Sequence, residues 1–190
     1  MTSLADFEST GALLQGHFLL SSGRHSERYL QCALLLQWPD RAEAAGRVLA
    51  AALTPFAPAV VVSPAMGGII IGHEVARALG VPFLFAERQE GAFTLRRGFR
   101  LEPGAAVAIV EDVFTTGKST REVIETVESL GGGVVAVASI VDRGLPPDAF
   151  AVPSRSLLSV QVPSWTAEEC PLCARGVPQD TPGSRYLSRP

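Results

Sequence analysis

The chain has 190 residues, 47% hydrophobic and 18% charged, with a net charge of −3; this suffices for one domain with a real core and leaves no basic footprint for nucleic acid. No run approaches the ~18 uninterrupted apolar residues of a membrane span, and the opening MTSLADFEST lacks the basic-then-apolar order of a secretion signal. Three cysteines make no disulfide framework, so the cytoplasm is the expected location.

In chain order, residues 3–14 predict a short helix closing at Gly16. HFLL and RYLQ, on either side of the polar turn SSGRHSE, predict a small hairpin. Residues 39–53 predict a helix, with Pro39 at its start, an acid in its first turn and apolar residues at Ala45, Val48, Leu49, Ala52 and Leu53. The β-branched run AVVVS then predicts a strand buried on both faces. SPAMGG reads as a loop, 69–79 as a helix stopped by Gly80, and PFLFA as a strand. EGAFTLRRGFRLEPG is a polar excursion punctuated by glycine, a hairpin or a mobile loop. AVAIVE predicts a strand, 118–130 a helix stopped by GGG, and VVAVASIVD another buried strand. The remaining segment is rich in proline and polar residues, with one short helix near 166–175. Such alternation predicts a single α/β domain over 1–190, its mostly parallel sheet covered by helices on both faces. Residues 1–36 form a small N-terminal appendage, 37–145 the core and 146–190 a C-terminal segment.

The stretch VAIVEDVFTTGKST carries the chemistry. A strand leads into two acids, Glu111 and Asp112, then into hydroxyls and a glycine at a helix start. Ligands of open α/β sheets sit beyond the carboxyl ends of the strands, and exposed amides at a helix start bind anions. Thr115, Thr116 and Ser119 add hydroxyl donors, and Gly117 permits close backbone approach. A Walker A loop is excluded because Asp112 stands where that motif needs glycine, and no dinucleotide fingerprint is present. The bland alternative is a capped helix, with Ser119 and Glu122 as a capping box. That alternative leaves the adjacent acids unexplained. A sugar phosphate explains both halves: the loop holds the phosphate while the carboxylates accept ribose hydroxyls and favour positive charge developing on the sugar.

This stretch resembles the signature of the type I phosphoribosyltransferases, and the resemblance implies that family's fold. It implies binding of phosphoribosyl pyrophosphate with Mg2+, held mainly by substrate and water rather than by protein ligands. It assigns Glu111 and Asp112 to the ribose hydroxyls and Thr115, Thr116, Gly117, Lys118 and Ser119 to the 5′-phosphate, with Val113 and Phe114 also in the phosphoribosyl pyrophosphate site. The loop VSPAMGG, with Ala65, Met66 and Gly67, is implied to hold pyrophosphate through backbone amides, often with a strained or cis peptide; alone, it reads as a strand-to-helix turn. The excursion over 87–100 would be a lid whose Arg88, Arg96, Arg97 and Arg100 neutralise pyrophosphate, with Arg88 joining Glu111 and Asp112 as catalytic; otherwise it is a solvated charged hairpin.

GHFLLSSGRHSERYLQ resembles the hood of the orotate phosphoribosyltransferases in Phe18, Ser22, Gly23, Arg24, Ser26 and Tyr29. Orotate carries a carboxylate, which needs donors or a cation. By this resemblance Ser22, Gly23, Arg24, Tyr29, Thr115 and Arg143 would contact the base; alternatively Arg143 pairs with Asp142 at the surface. The chain departs from better-known bacterial members: Ser21 replaces a lysine before S-G-R, and the lid holds no lysine or histidine. Lys118 is the only lysine, and arginine is a poor proton donor. A homodimer is implied. A purine phosphoribosyltransferase would share the phosphate loop without the hood, and a regulatory module would bind phosphoribosyl pyrophosphate without turnover. Cys170 and Cys173 have C-x-x-C spacing, but the other donors, Cys32 and three scattered histidines, leave packed thiols as the expectation.

Overall fold

The computed structural model describes residues 4–20 and 22–181; Ser21, the departure noted before S-G-R, lies outside the described residues. Contacts divide the chain into two compact units, one over Leu36–Val160 and a smaller one that joins Leu4–Leu35 to the chain from Gln161.

The larger unit holds a six-stranded sheet in the order β5-β4-β3-β6-β7-β8. Its strands are β3 (Val60–Pro64), β4 (Phe83–Gln89), β5 (Ala92–Leu95), β6 (Ala106–Phe114), β7 (Gly133–Asp142) and β8 (Ser154–Ser159). All neighbours are parallel except β4 and β5, which form an antiparallel hairpin. Glu90 and Gly91 turn that hairpin with φ of 51° and 90°, the left-handed pair that matches strand twist. Every residue of β3 is buried, as are Val107–Val110 of β6, which is why both read as continuous apolar runs. β8, SRSLLS, is an edge strand with no such run, and the sequence pattern did not reveal it.

Helices α3 (Pro39–Leu53), α4 (Gly68–Leu79) and α5 (Lys118–Ser129) cover the sheet. Gly80 ends α4 in the left-handed conformation, φ 72°, as expected of a C-terminal glycine. On α3, Ala42, Ala45, Gly46, Leu49, Ala50 and Leu53 are buried, but Val48, expected inward, is exposed. Gly46 lets α4 approach: a Cβ there would lie 2.6 Å from Cβ of Glu74. From α5, Val123 and Val127 pack into the core that holds Val60, Val62, Val107, Ile109 and Phe114.

In the smaller unit, α1 covers only Leu4–Ser9, and residues 13–19, partly expected as helix, form strand β1 (Leu13–Leu19). Gly11, with φ 68°, breaks the helical run before Leu13 and Leu14 can continue it. β1 pairs antiparallel with β2 (His25–Leu30), as the hairpin expectation required. Trp165 pairs with His25 on one edge and Asp180 with the Phe18 region on the other. A short helix α2 (Cys32–Leu36) follows β2, and α6 (Pro171–Ala174) is the only helical turn near the expected 166–175.

Candidate active site

The chain leaves β3 through α4 toward β4, and leaves β6 through α5 toward β7, so the two halves diverge between adjacent strands β3 and β6. Such a switch point opens a crevice beyond the carboxyl ends of the strands. The loops that follow β3 and β6 both lie there.

β6 runs three residues beyond the expected AVAIVE, so Asp112 as well as Glu111 belongs to the end of the strand rather than to the loop. Thr120, one turn into α5 and fully buried, donates its hydroxyl to Glu111 Oε2 at 2.5 Å. Burial pushes the Glu111 carboxyl up to about 7; the Thr120 bond opposes this and the neighbouring Asp112 adds to it. Burial also raises Asp112, against a bond at 2.9 Å from the Val113 N–H to its Oδ1. The repulsion expected between two acids and an anion is therefore softened, because near neutrality Glu111 holds its proton part of the time.

Asp112 faces the loop after β3. A Cβ on Gly67 would meet Asp112 Oδ2 at 2.6 Å and Oδ1 at 2.7 Å. The glycine is needed for this approach and not for its backbone angles, since its φ is −56°. The Ala65–Met66 peptide just before it is cis, and Met66 is 80% exposed. The loop and the acids thus form one cradle.

Gly117 precedes α5 with φ 70°, and no side chain caps that helix. The capping-box alternative is thereby corrected: Ser119 lies inside the first turn, not at the cap. The Lys118 N–H donates to Thr116 Oγ1 at 3.4 Å; the Ser119 and Thr120 N–H groups follow it at the helix start, where an anion can bind, with Thr115 and Thr116 exposed beside them. Arg121, which the sequence reading missed, donates Nη2–H to the Thr116 carbonyl at 2.7 Å and Nη1–H to the Ala149 carbonyl at 3.2 Å. It braces the loop from outside, and a Cβ on Gly117 would sit 3.0 Å from its Nη1. Lys118 Nζ lies 3.8 Å from Glu122.

The arginine-rich excursion is held by carboxylates. Arg88, on β4 rather than in a loop, pairs with Glu122 of α5, donates to the Gly91 carbonyl at 2.6 Å and stacks 4.3 Å from the Phe93 ring centroid. Arg97 makes a two-pronged pair with Glu87, at 2.9 and 2.8 Å, and lies over Phe85. Arg96 adds a weaker field at Glu87, and Arg100 is exposed. Arg143 follows β7 and its N–H donates to the Phe114 carbonyl at 2.9 Å, which brings its backbone to the head of the phosphate loop. The Asp142 carboxylate accepts from the N–H groups of Gly144 and Leu145 and so closes the turn.

Ser22, Gly23, Arg24 and Tyr29 lie in the smaller unit. Arg24 donates Nε–H to the Ser164 hydroxyl at 2.9 Å and Nη2–H to its carbonyl at 2.5 Å. Ser26 is buried and donates to the Pro163 carbonyl at 2.8 Å. Phe18 and Tyr29 rings pack at 5.9 Å.

Comparison with known proteins agrees with this geometry. The family model described as a phosphoribosyl transferase domain matches residues 34–149. An orotate phosphoribosyltransferase of Pelotomaculum thermopropionicum is 53% identical over 184 residues, 97% of each chain. Another from Thermotoga maritima is 51% identical over 180 residues, 95% of this chain and 96% of that one. Among solved structures, the crystal structure of orotate phosphoribosyltransferase from Aeropyrum pernix superposes with a TM-score of 0.69 at 26% identity, over 82% of this chain and 92% of that one.

Proposed function

The chain belongs to the orotate phosphoribosyltransferase family, and from that premise we propose that it transfers the 5-phosphoribosyl group of phosphoribosyl pyrophosphate to orotate. The products are orotidine 5′-monophosphate and pyrophosphate. The observation that carries this reading is the placement of Glu111 and Asp112 between an uncapped helix start and the Gly67 loop. It supports a division of labour in which Thr115–Ser119 hold the 5′-phosphate, the two carboxylates hold the ribose, and Ala65, Met66 and Gly67 hold pyrophosphate.

As the C1′–oxygen bond to pyrophosphate breaks, positive charge grows on the ribose and the carboxylates stabilise it. The leaving pyrophosphate takes up the electron pair, and a base nitrogen forms the new bond to C1′. Arg88, Arg96 and Arg97 would neutralise the departing charge, and Arg143 would face the orotate carboxylate. The base contacts proposed for Ser22, Gly23, Arg24 and Tyr29 rest on the motif alone.

The donors at the crevice are hard carboxylate oxygens. Among the described residues, Glu111 and Asp112 are not part of any group of three or more His, Cys, Asp or Glu that could hold a metal. Such a donor set fits Mg2+ that keeps its contacts mainly with substrate oxygens and water. When bound, the ion supplies charge neutralisation at pyrophosphate. We also propose a homodimer and a cytoplasmic location; among the described residues no helix is long and apolar enough to cross a membrane.

The test is an ultraviolet assay with phosphoribosyl pyrophosphate and magnesium, offering orotate, adenine, hypoxanthine and uracil separately. Consumption of orotate alone is expected. Turnover of a purine refutes the base assignment, and tight binding of phosphoribosyl pyrophosphate without any turnover refutes catalysis. In the same assay, Asp112→Asn should lower turnover far more than phosphoribosyl pyrophosphate affinity; equal losses refute its role in the transition state.

A further inference from the structure

The smaller unit holds a constellation that phosphoribosyl transfer does not use. His17 of β1, His25 of β2, and Cys170 and Cys173 around α6 place one ligand atom each within 4.8 Å of the others. Two of the three scattered histidines, His17 and His25, are thus brought to the two thiols by the hairpin and the returning C-terminal segment. His17 Nε2 lies 3.6 Å from Cys170 Sγ and 3.6 Å from Cys173 Sγ, and Cys173 Sγ lies 3.3 Å from His25 Nδ1. Tetrahedral zinc bonds of about 2.0 Å to nitrogen and 2.3 Å to sulfur put neighbouring N and S ligands about 3.6 Å apart. The histidine nitrogens are 2.8 Å apart and would need to separate by roughly half an ångström to span a metal in that geometry.

Orientation supports the same reading. His17 Nδ1 sits 2.8 Å from the Val177 carbonyl. A carbonyl can only accept, so Nδ1 carries the proton and the Nε2 lone pair points into the cluster. His17, His25 and Cys170 are buried, while Cys173 reaches the surface and gives an entry path. All three cysteines are free thiols, and Cys32 is outside the cluster.

We propose that His17, His25, Cys170 and Cys173 form a structural Zn2+ site that staples the hairpin to the C-terminal segment. Two thiolates and two imidazoles select zinc over the harder magnesium. On binding, each thiol releases one proton to solvent, and the two thiolates cancel the charge of the ion, so the filled site is neutral where it is buried. A closed set of four protein ligands leaves no open position for substrate, which makes the role structural. The gain is physical: a unit of this size draws only limited stability from its own core, and a metal adds to it.

The test is metal content and cobalt spectroscopy on the full chain, independent of any turnover. Protein purified without chelator, or refolded with zinc, is expected to hold one zinc per chain. Replacement by Co2+ should give thiolate-to-cobalt charge transfer and the intense visible bands of a tetrahedral site. Cys173→Ser, which alters the exposed ligand, should weaken zinc binding roughly 100-fold or more, while Cys32→Ala should retain the metal. A chelator should lower the unfolding midpoint of the wild type and leave that of Cys173→Ser unmoved. Zinc well below one per chain after refolding with no cobalt signature overturns the proposal. So does a Cys170–Cys173 disulfide in freshly purified protein, or equal zinc affinity of Cys173→Ser and the wild type in competition with a chelator.

Discussion

Gly67→Ala isolates the cradle from the rest of the fold. The glycine is the N-cap of α4 with φ −56°, so alanine meets no backbone strain there and costs the helix start at most about 1 kcal/mol. Its new Cβ, however, would lie 2.6 Å from one Asp112 carboxylate oxygen and 2.7 Å from the other. An ordinary carbon–oxygen contact is about 3.4 Å, so the carboxylate or the loop must retreat by roughly 0.7 Å or more. Misplacement on that scale costs about 100-fold in a positioned reaction, or about 2.7 kcal/mol in kcat/KM. Steady-state kinetics with orotate, alongside thermal unfolding, makes the measurement. The expected result is that loss in kcat/KM with an unfolding midpoint close to wild type. Gly72→Ala is the contrast: its Cβ would meet the buried Ser63 Oγ at 2.0 Å, so it should lower stability. Wild-type kinetics in Gly67→Ala would refute the claim that Asp112 must sit where this loop lets it.

Three further outcomes are expected. Thr120→Val removes the bond that holds Glu111 down from a value already near 7; the acid limb of kcat/KM should move to higher pH, and an unmoved limb would separate Glu111 ionisation from activity. Between pH 4.5 and 7 the folded Glu111 keeps a proton that an unfolded glutamate loses, so stability should fall as pH rises through that window and level off above it; urea titrations of Glu111→Gln should show a flatter slope there. Arg97→Ala breaks an exposed pair with Glu87, so stability should change by less than about 1 kcal/mol while KM for phosphoribosyl pyrophosphate rises; an unchanged KM would remove Arg97 from the lid. Trp38, just before α3, is a large apolar side chain left 51% exposed; Trp38→Glu should shift the proposed homodimer toward monomer in sedimentation, and an unshifted equilibrium would place the interface elsewhere.

The parallel core was legible because its central strands are buried on both faces and α4 and α5 stop at glycines, so local pattern and tertiary position coincide. The errors arose where they diverge. Leu13 and Leu14 extended a helical period that Gly11 in fact ends, and β8 is an edge strand whose polar residues carry no apolar signal. The motif drew attention to Glu111 and Asp112, but not to Thr120 or Arg121, whose positions depend on how α5 starts. A phosphate loop is contiguous in sequence and can be read from it. By contrast, Asp112 against Gly67 spans two strands, and His17 meets Cys170 across 153 positions; neither contact has a local signature. Spacing alone could nominate Cys170 and Cys173, and only the hairpin register selects which histidines join them.

The smaller unit takes its first strands from the chain before the core and their edge partners, around Trp165 and Asp180, from the chain after it. During synthesis the hairpin therefore emerges well before the residues that complete it, and the core between them can fold in the interval. Closing the unit early means paying loop entropy over the whole intervening chain, whereas folding the core first shortens the flexible chain left to close. The order of assembly is thus written into the connectivity: core first, clasp last. A ribosome stalled before Gln161 would display the hairpin with both edges unpaired, the state in which strands most readily find the wrong partner.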